Sequence, residues 1–136
     1  MVVDTSAIVA IARREPEALT FSRMLERTPG KLMAAPTYLE CAFVMAGIAP
    51  NKGMAFLREL VSDTLIKIVP FGPEELEVAV EARLRFSRGS GHAAKLNFGD
   101  CFAYALAKSR NLPLLFKGDD FIRTDVIPAC KPESGL

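Results

Sequence analysis

Histidine is nearly absent from this sequence: His92 stands alone, and the three cysteines, Cys41, Cys101 and Cys130, show no CxxC spacing. That deficit counts against a zinc centre, which draws on clustered imidazole and thiolate ligands. The cysteine count is odd, and Cys41 and Cys101 lie in apolar helical patterns, so they read as small core residues of a protein kept in a reducing cytoplasm. Long hydrophobic runs are also missing. Without 18 consecutive apolar residues no membrane span is expected, and without a basic segment leading into an apolar one no signal peptide is expected. Neither sign of charge is in excess, because 17 basic and 16 acidic residues leave a formal net charge of +1. This balance speaks against a nucleic-acid coat protein, but a local basic rim around an acidic site can cancel in the total.

What is present suits one domain. The chain has 136 residues and half of them are hydrophobic, which is enough for a core. The domain is expected over residues 1–130, with a flexible tail over 131–136. Four short apolar runs read as strands: Met1–Val3, Lys31–Ala35, Leu65–Val69 and Leu112–Phe116; Val126–Ile127 could add a fifth at an edge. Helical periodicity fills the spaces between. Segments begin near Ala7, Pro16, Thr37, Lys52, Pro73 and Gly99, several of them punctuated by proline, which costs nothing in the first turn. The 37–48 helix is apolar nearly all round and is expected to be buried on most sides. The helix from Pro73 is expected to turn Leu76, Val80 and Leu84 inward, and the helix from Gly99 to do so with Phe102, Ala105 and Leu106. Strands that are short and wholly apolar, alternating with helices, predict an α/β fold: three layers, α/β/α, around a parallel sheet of four to five strands.

Against this apolar background several carboxylates are out of place. Asp4 directly follows Met1-Val2-Val3, Glu40 stands inside Tyr38-Leu39-Glu40-Cys41-Ala42-Phe43, Asp100 sits between Phe98-Gly99 and Cys101-Phe102, and Asp119-Asp120 follow Leu114-Leu115-Phe116. Acids in such company are costly unless something pairs with them. Asp4 and Asp100 could each cap a helix, although Thr5 and Ser6 already offer that service beside Asp4. Asp119 and Asp120 could be turn residues after Gly118. Glu40 is in mid-helix, where a structural ion pair is the ordinary alternative. All are compatible with the carboxyl edge of a parallel sheet, where open α/β proteins bind ligands. Grouped carboxylates repel one another and hold protons. A hard divalent cation, Mg²⁺ or Mn²⁺, reverses that preference and takes oxygen ligands.

The motifs around these acids carry a family resemblance. Met1-Val2-Val3-Asp4-Thr5-Ser6-Ala7 resembles the opening of PIN-domain ribonucleases. The segment Leu96 to Ala107, with Asn97-Phe98-Gly99-Asp100-Cys101-Phe102 at its heart, resembles the second signature of the VapC toxins of type II toxin–antitoxin systems. Leu115 to Phe121, with Thr124-Asp125 following, resembles their third, and Glu40 falls where these proteins place a helical glutamate. The likeness runs from residue 1 to about residue 129. It implies a metal site of Asp4, Glu40 and Asp100, completed by a fourth acid. Asp119 is favoured for that place because it comes first after the strand and Gly118; Asp120 is the alternative. Thr5, Ser6 and Asn97 would support the site.

The resemblance further implies a Mg²⁺-dependent endoribonuclease leaving a 5′-phosphate and a 3′-hydroxyl. It implies a cognate antitoxin protein that occupies the acidic site, often with an arginine, and a homodimer. Apolar surplus at Phe43, Val44, Met45, Met54 and Phe56 suits an interface and equally a core. RNA requires positive charge near the acids. The candidates are Arg13 beside Arg14, Arg85, Arg88 and Lys95 with His92 around the glycine-rich loop, and Lys117 and Arg123 next to the last acids. A receiver-type phosphoacceptor fails for want of an acceptor aspartate in Ile68-Val69-Pro70-Phe71-Gly72. A haloacid-dehalogenase-like phosphatase fails because Asp4-Thr5-Ser6 is not Asp-x-Asp. The remaining alternative is a catalytically silent RNA- or antitoxin-binding module of the same fold.

Overall fold

The computed structural model describes residues 1–87 and 89–131. Arg88, one of the expected phosphate contacts, and residues 132–136 of the expected tail lie outside them. Four short strands, β1 (Val2–Val3), β2 (Leu32–Ala34), β3 (Lys67–Val69) and β4 (Leu114–Leu115), form a parallel sheet in the order β3-β2-β1-β4. Val2 sits opposite Leu32 on one side and Leu114 on the other, and Ala34 lies opposite Val69. The strand order therefore reverses at β1, and the crevice between the carboxyl ends of β1 and β4 is the position where such sheets build sites.

Strand alternation divides the core in two. Val2, Ala34 and Leu114 join a core with α5 (Pro73–Phe86) and α6 (Phe98–Arg110). Val3, Met33 and Leu115 join another with α1 (Thr5–Ala12), α2 (Ala18–Arg27), α3 (Ala35–Ile48) and α4 (Pro50–Asp63). This is the expected three-layer arrangement. Gly53 lets α4 approach α3: a Cβ there would stand 2.7 Å from the Met45 carbonyl carbon. Among the described residues no helix is long and apolar enough to cross a membrane.

Four expectations are corrected. The fifth strand at Val126–Ile127 reduces to one parallel bridge between Leu114 and Pro128. Leu114 N–H donates to the Ile127 carbonyl and Ala129 N–H donates to the Leu114 carbonyl, both at 2.8 Å. Pro128 between them has no N–H with which to extend the ladder. On α5 the leucine stripe faces outward, with Leu84 73% exposed, while Glu75, Ala79, Ala82 and Phe86 turn inward. The alanines bring α5 close against α6, and the i, i+4 spacing of the larger residues was the misleading signal. On α3 only Thr37, Cys41 and Met45 are buried, and Phe43 is 74% exposed. A helix that is apolar all round here has one face in the core and another bare. On α6, Ala105 and Leu106 are buried as expected, but Phe102 is half-buried, edge-on to Phe71 and Phe98 at 5.1 and 4.9 Å.

Candidate active site

β1 delivers Asp4 to the switch-point crevice, and α1 begins at the next residue. Asp4 is itself the N-cap of α1: its Oδ2 accepts from Ser6 N–H at 3.0 Å and from the Ser6 hydroxyl at 2.6 Å. Capping therefore does not fall to Thr5 or Ser6, as the sequence allowed, and it uses only one carboxylate oxygen. The other, Oδ1, is out of contact with solvent and has no hydrogen-bond partner. Ser6 Oγ also accepts from Lys117 N–H at 2.9 Å, tying the residue after Asp4's cap to the chain leaving β4.

α3, following β2, carries Glu40 toward the same crevice, where Thr5 Oγ1 donates to Glu40 Oε1. Room for that carboxylate comes from Gly99, a residue whose importance the sequence reading missed. A Cβ on Gly99 would lie 2.7 Å from the Glu40 carboxyl carbon and 3.0 Å from Oε1. The available signal was a glycine in the first turn of a helix, which costs stability unless another group must approach closely. α6 opens on a reciprocal capping box. Asn97 Oδ1 accepts from Asp100 N–H and Asp100 Oδ2 accepts from Asn97 N–H, both at 2.9 Å. Asn97 thus orients Asp100 through two hydrogen bonds.

Asp4, Glu40, Asp100 and Asp120 line one cleft of about 460 Å³, together with Thr5, Ser6, Asn97, Glu15 and Lys117, between apolar walls at Val9 and Val44. Asp119, the favoured fourth acid, is turned away from it into a neighbouring cavity. The reason is local: Gly118 has φ 98°, a conformation open to glycine, and the chain turns there so that the next two side chains diverge. Burial, reinforced by nearby Glu40, pushes the Asp4 carboxyl up to about 6 despite its hydrogen bonds from Ser6. Burial does the same to Asp100, up to about 7, with Asp4, Asp120 and Glu40 adding repulsion. Cys41, beside Glu40, is pushed up to about 12 by burial and stays a thiol at neutral pH.

The expected basic residues do not crowd this cleft. Among the described residues that line it Lys117 is the one cation, and its ammonium is held by Glu15 and by Glu17 at 3.2 Å. Arg85 lies over the Phe86 ring at 4.6 Å and pairs with Asp125 at 3.6 Å. Arg13, Lys95 and Arg123 are exposed. His92 accepts from Ala94 N–H at 3.0 Å through Nδ1 and stacks edge-on against Phe86, a loop role.

A divalent ion is what the donor set suits: every candidate ligand is an oxygen, and Asp4 Oδ1 is a buried acceptor with nothing to accept. Among the described residues, however, no three His, Cys, Asp or Glu side chains are arranged so that they could hold an ion as they stand. Without a cation the carboxylates repel one another, and Thr5, Ser6 and Asn97 hold them in separate hydrogen bonds.

The PIN-domain family model matches residues 1–127. Ribonuclease VapC42 of Mycobacterium tuberculosis is 42% identical over 130 residues, covering 96% of this chain and 99% of the relative. The chain belongs to the VapC family of PIN-domain proteins. Ribonuclease VapC28 of the same organism is 41% identical over 126 residues, 93% of this chain and 95% of the relative. The fold is shared with solved VapC structures. M. tuberculosis VapC20, described as a Sarcin-Ricin loop cleaving toxin, superposes with a TM-score of 0.74 at 14% identity, covering 93% of this chain and 95% of that one. VapBC2 of Rickettsia felis, solved on a DNA fragment from its promoter, gives 0.72 at 14% identity, covering 93% and 94%. The VapC structures thus share the fold over nearly the whole chain.

Proposed function

We propose that this protein is a Mg²⁺-dependent endoribonuclease, with Mn²⁺ as a substitute ion, and the toxin of a toxin–antitoxin pair acting in the cytoplasm. The observation that carries the reading is Asp4: a carboxylate 3% exposed, one oxygen spent on a cap and the other buried without a partner, in a cleft shared with Glu40, Asp100 and Asp120. Asp4 and Asp100 would hold the ion, with Glu40 and Asp120 completing its shell or placing water. Asp120 is preferred over Asp119 because it lines that cleft. When bound, the ion supplies charge compensation for the phosphate and a more acidic water. The chain's own part is positioning and proton transfer. Glu40, anchored by Thr5, or Asp120 accepts the proton of the attacking water, whose oxygen bonds to phosphorus as the bond to the 3′-oxygen breaks, and the departing 3′-oxygen takes up a proton from solvent. The products carry a 5′-phosphate and a 3′-hydroxyl.

Partners follow from the same reading. An antitoxin arginine would meet carboxylates where the ion sits and bind them bidentately. Exposed apolar faces on α3, at Leu39 and Phe43, and on α5 and α6, at Leu84 and Phe98, offer surface for the antitoxin and for a second copy of the chain. R. felis VapBC2 and the Salmonella typhimurium VapBC that the fold resembles, at a TM-score of 0.71, were solved with DNA. The test is cleavage of RNA by the purified chain with and without Mg²⁺, beside Asp4→Asn and Asp100→Asn. The wild type should cleave only with the ion and the variants not at all; undiminished cleavage by the double variant would sink the site assignment.

A further inference from the structure

A second cavity, of about 370 Å³, opens beside the acid cleft, and the two share the Lys117–Gly118 backbone as their common wall. Gly118 makes that wall low: its φ of 98° suits glycine, and an added Cβ would meet nothing within 4 Å. A strand lying in the acid cleft can cross the wall at Gly118, beside the Lys117 side chain, which its ion pairs with Glu15 and Glu17 hold in place. Behind it the cavity has an apolar floor, Phe21 and Phe116, and a polar rim, Glu17, Thr20 and Asp119. The charge of Glu17 is partly answered by the Lys117 ammonium, which stands 3.2 Å from its Oε2 and is shared with Glu15. That oxygen is closed off from solvent behind this ion pair. Asp119 is exposed, with no cation paired to it among the described residues.

We propose that this cavity is a nucleobase subsite, receiving the base next to the phosphate held in the acid cleft and selecting a base with an exocyclic amine over uracil. This deepens the ribonuclease reading and rests on it. The apolar floor, with Pro16 and Ile122 also lining the cavity, suits the apolar face of a base. Carboxylate oxygens accept hydrogen bonds and cannot donate them, so they match the amino group of cytosine, adenine or guanine. Uracil would set a carbonyl against the Asp119 carboxylate, acceptor facing acceptor, with no hydrogen bond to gain.

Two experiments decide it. In the first, RNA of random sequence is cleaved by the wild-type chain and by Asp119→Asn, and the product ends are sequenced. The wild type should disfavour uracil about tenfold at one position flanking the cut, and the amide, which also donates, should erase most of that bias. The ratio is read within one reaction, so it does not depend on total activity. Wild-type cuts without bias against uracil, or a bias that Asp119→Asn leaves intact, overturn the proposal. In the second, cytidine and uridine are titrated into the ¹⁵N-labelled chain in EDTA. Cytidine should shift the amides of Thr20, Gly118 and Asp119, and uridine should not. Equal shifts, or none, overturn the proposal. So does a shift of these amides by N-acetyl-arginine amide alone, which would assign the cavity to a cationic protein side chain. Failure of the wild type to cleave any RNA would count against the proposed function, while the amide shifts would still decide the subsite.

Discussion

Two helices of this protein begin with the same device and put it to different ends. In α5, Glu75 accepts from the Gly72 N–H at 3.0 Å; in α6, Asp100 accepts from the Asn97 N–H at 2.9 Å. Both are acids in a helical first turn, where the macrodipole favours them. Glu75, 7% exposed, has its other oxygen 3.8 Å from the Arg110 guanidinium. Among the described residues Asp100 has no such cation; its charged neighbours are Asp4, Glu40 and Asp120, and with burial they push it up to about 7. A capping acid answered by a cation completes the fold, whereas one answered by further acids holds unspent binding capacity. The helix N-terminus is common to both, so the difference lies in what the rest of the chain brings to the second oxygen.

The largest effect should come from exchanging these two acids' fates. Asp100→Asn should lower RNA cleavage by at least about 100-fold with an unchanged fold, since an amide still accepts the Asn97 N–H. Glu75→Gln should keep cleavage and lose about 1–2 kcal/mol of stability in urea titration. Wild-type cleavage by Asp100→Asn, or a dead but stable Glu75→Gln, would erase the contrast. Next comes Gly99→Ala, whose methyl would occupy the space of the Glu40 carboxylate. Cleavage should fall by about 10-fold or more and stability should drop. Adding Glu40→Ala should restore the stability and not the activity; persistence of the instability would show that Gly99 answers to something other than Glu40.

A pH titration of the metal-free protein sharpens the comparison further. Asp4 and Asp100 have an ordinary value of 3.8 and stand at about 6 and about 7 in the folded chain. Below pH 3.8 both states are protonated and the two groups contribute nothing. Between 3.8 and 7 the folded state retains protons that the unfolded state has released, so stability must fall as pH rises, and it levels off above. Denaturation in EDTA should show this decline, and Asp4→Asn with Asp100→Asn should flatten it; Asp4→Asn alone should be neutral or stabilising at pH 7. A decline of equal slope in the double variant would locate it elsewhere. The smallest effect is expected for Arg85→Ala. Its guanidinium is 56% exposed and already paired with Asp125, so cleavage should change less than about threefold, as checked by initial rates at two salt concentrations.

Much of the acid site was legible because the acids broke a local rule. Asp4, Glu40 and Asp100 each interrupt apolar sequence, and proline and glycine punctuation placed every helix to within a few residues. What local pattern could not supply was direction. Leu76, Val80 and Leu84 have the spacing of an inner face, yet the alanines go inward because the α5–α6 approach is close. Asp119 precedes Asp120, yet the turn at Gly118 sends the second to the cleft. Lys117 sits beside the acids in sequence, yet Glu15 and Glu17, more than 90 positions away, take its charge. Gly99 could be seen as an odd helical glycine, but the carboxylate that needs its space comes from α3.

By itself the sequence determined the element order, the parallel sheet and the identity of the acids. Those follow from apolar run length, from proline and glycine stereochemistry, and from the cost of a carboxylate among hydrophobic neighbours. Only the tertiary structure decided which oxygens are left without a partner, which of two adjacent aspartates shares the cleft, and which cations are already spent. Hydrogen bonds, ion pairs and desolvation depend on separations of a few ångströms between residues distant in the chain, and those separations exist only once the sheet has brought the ends of β1 and β4 together.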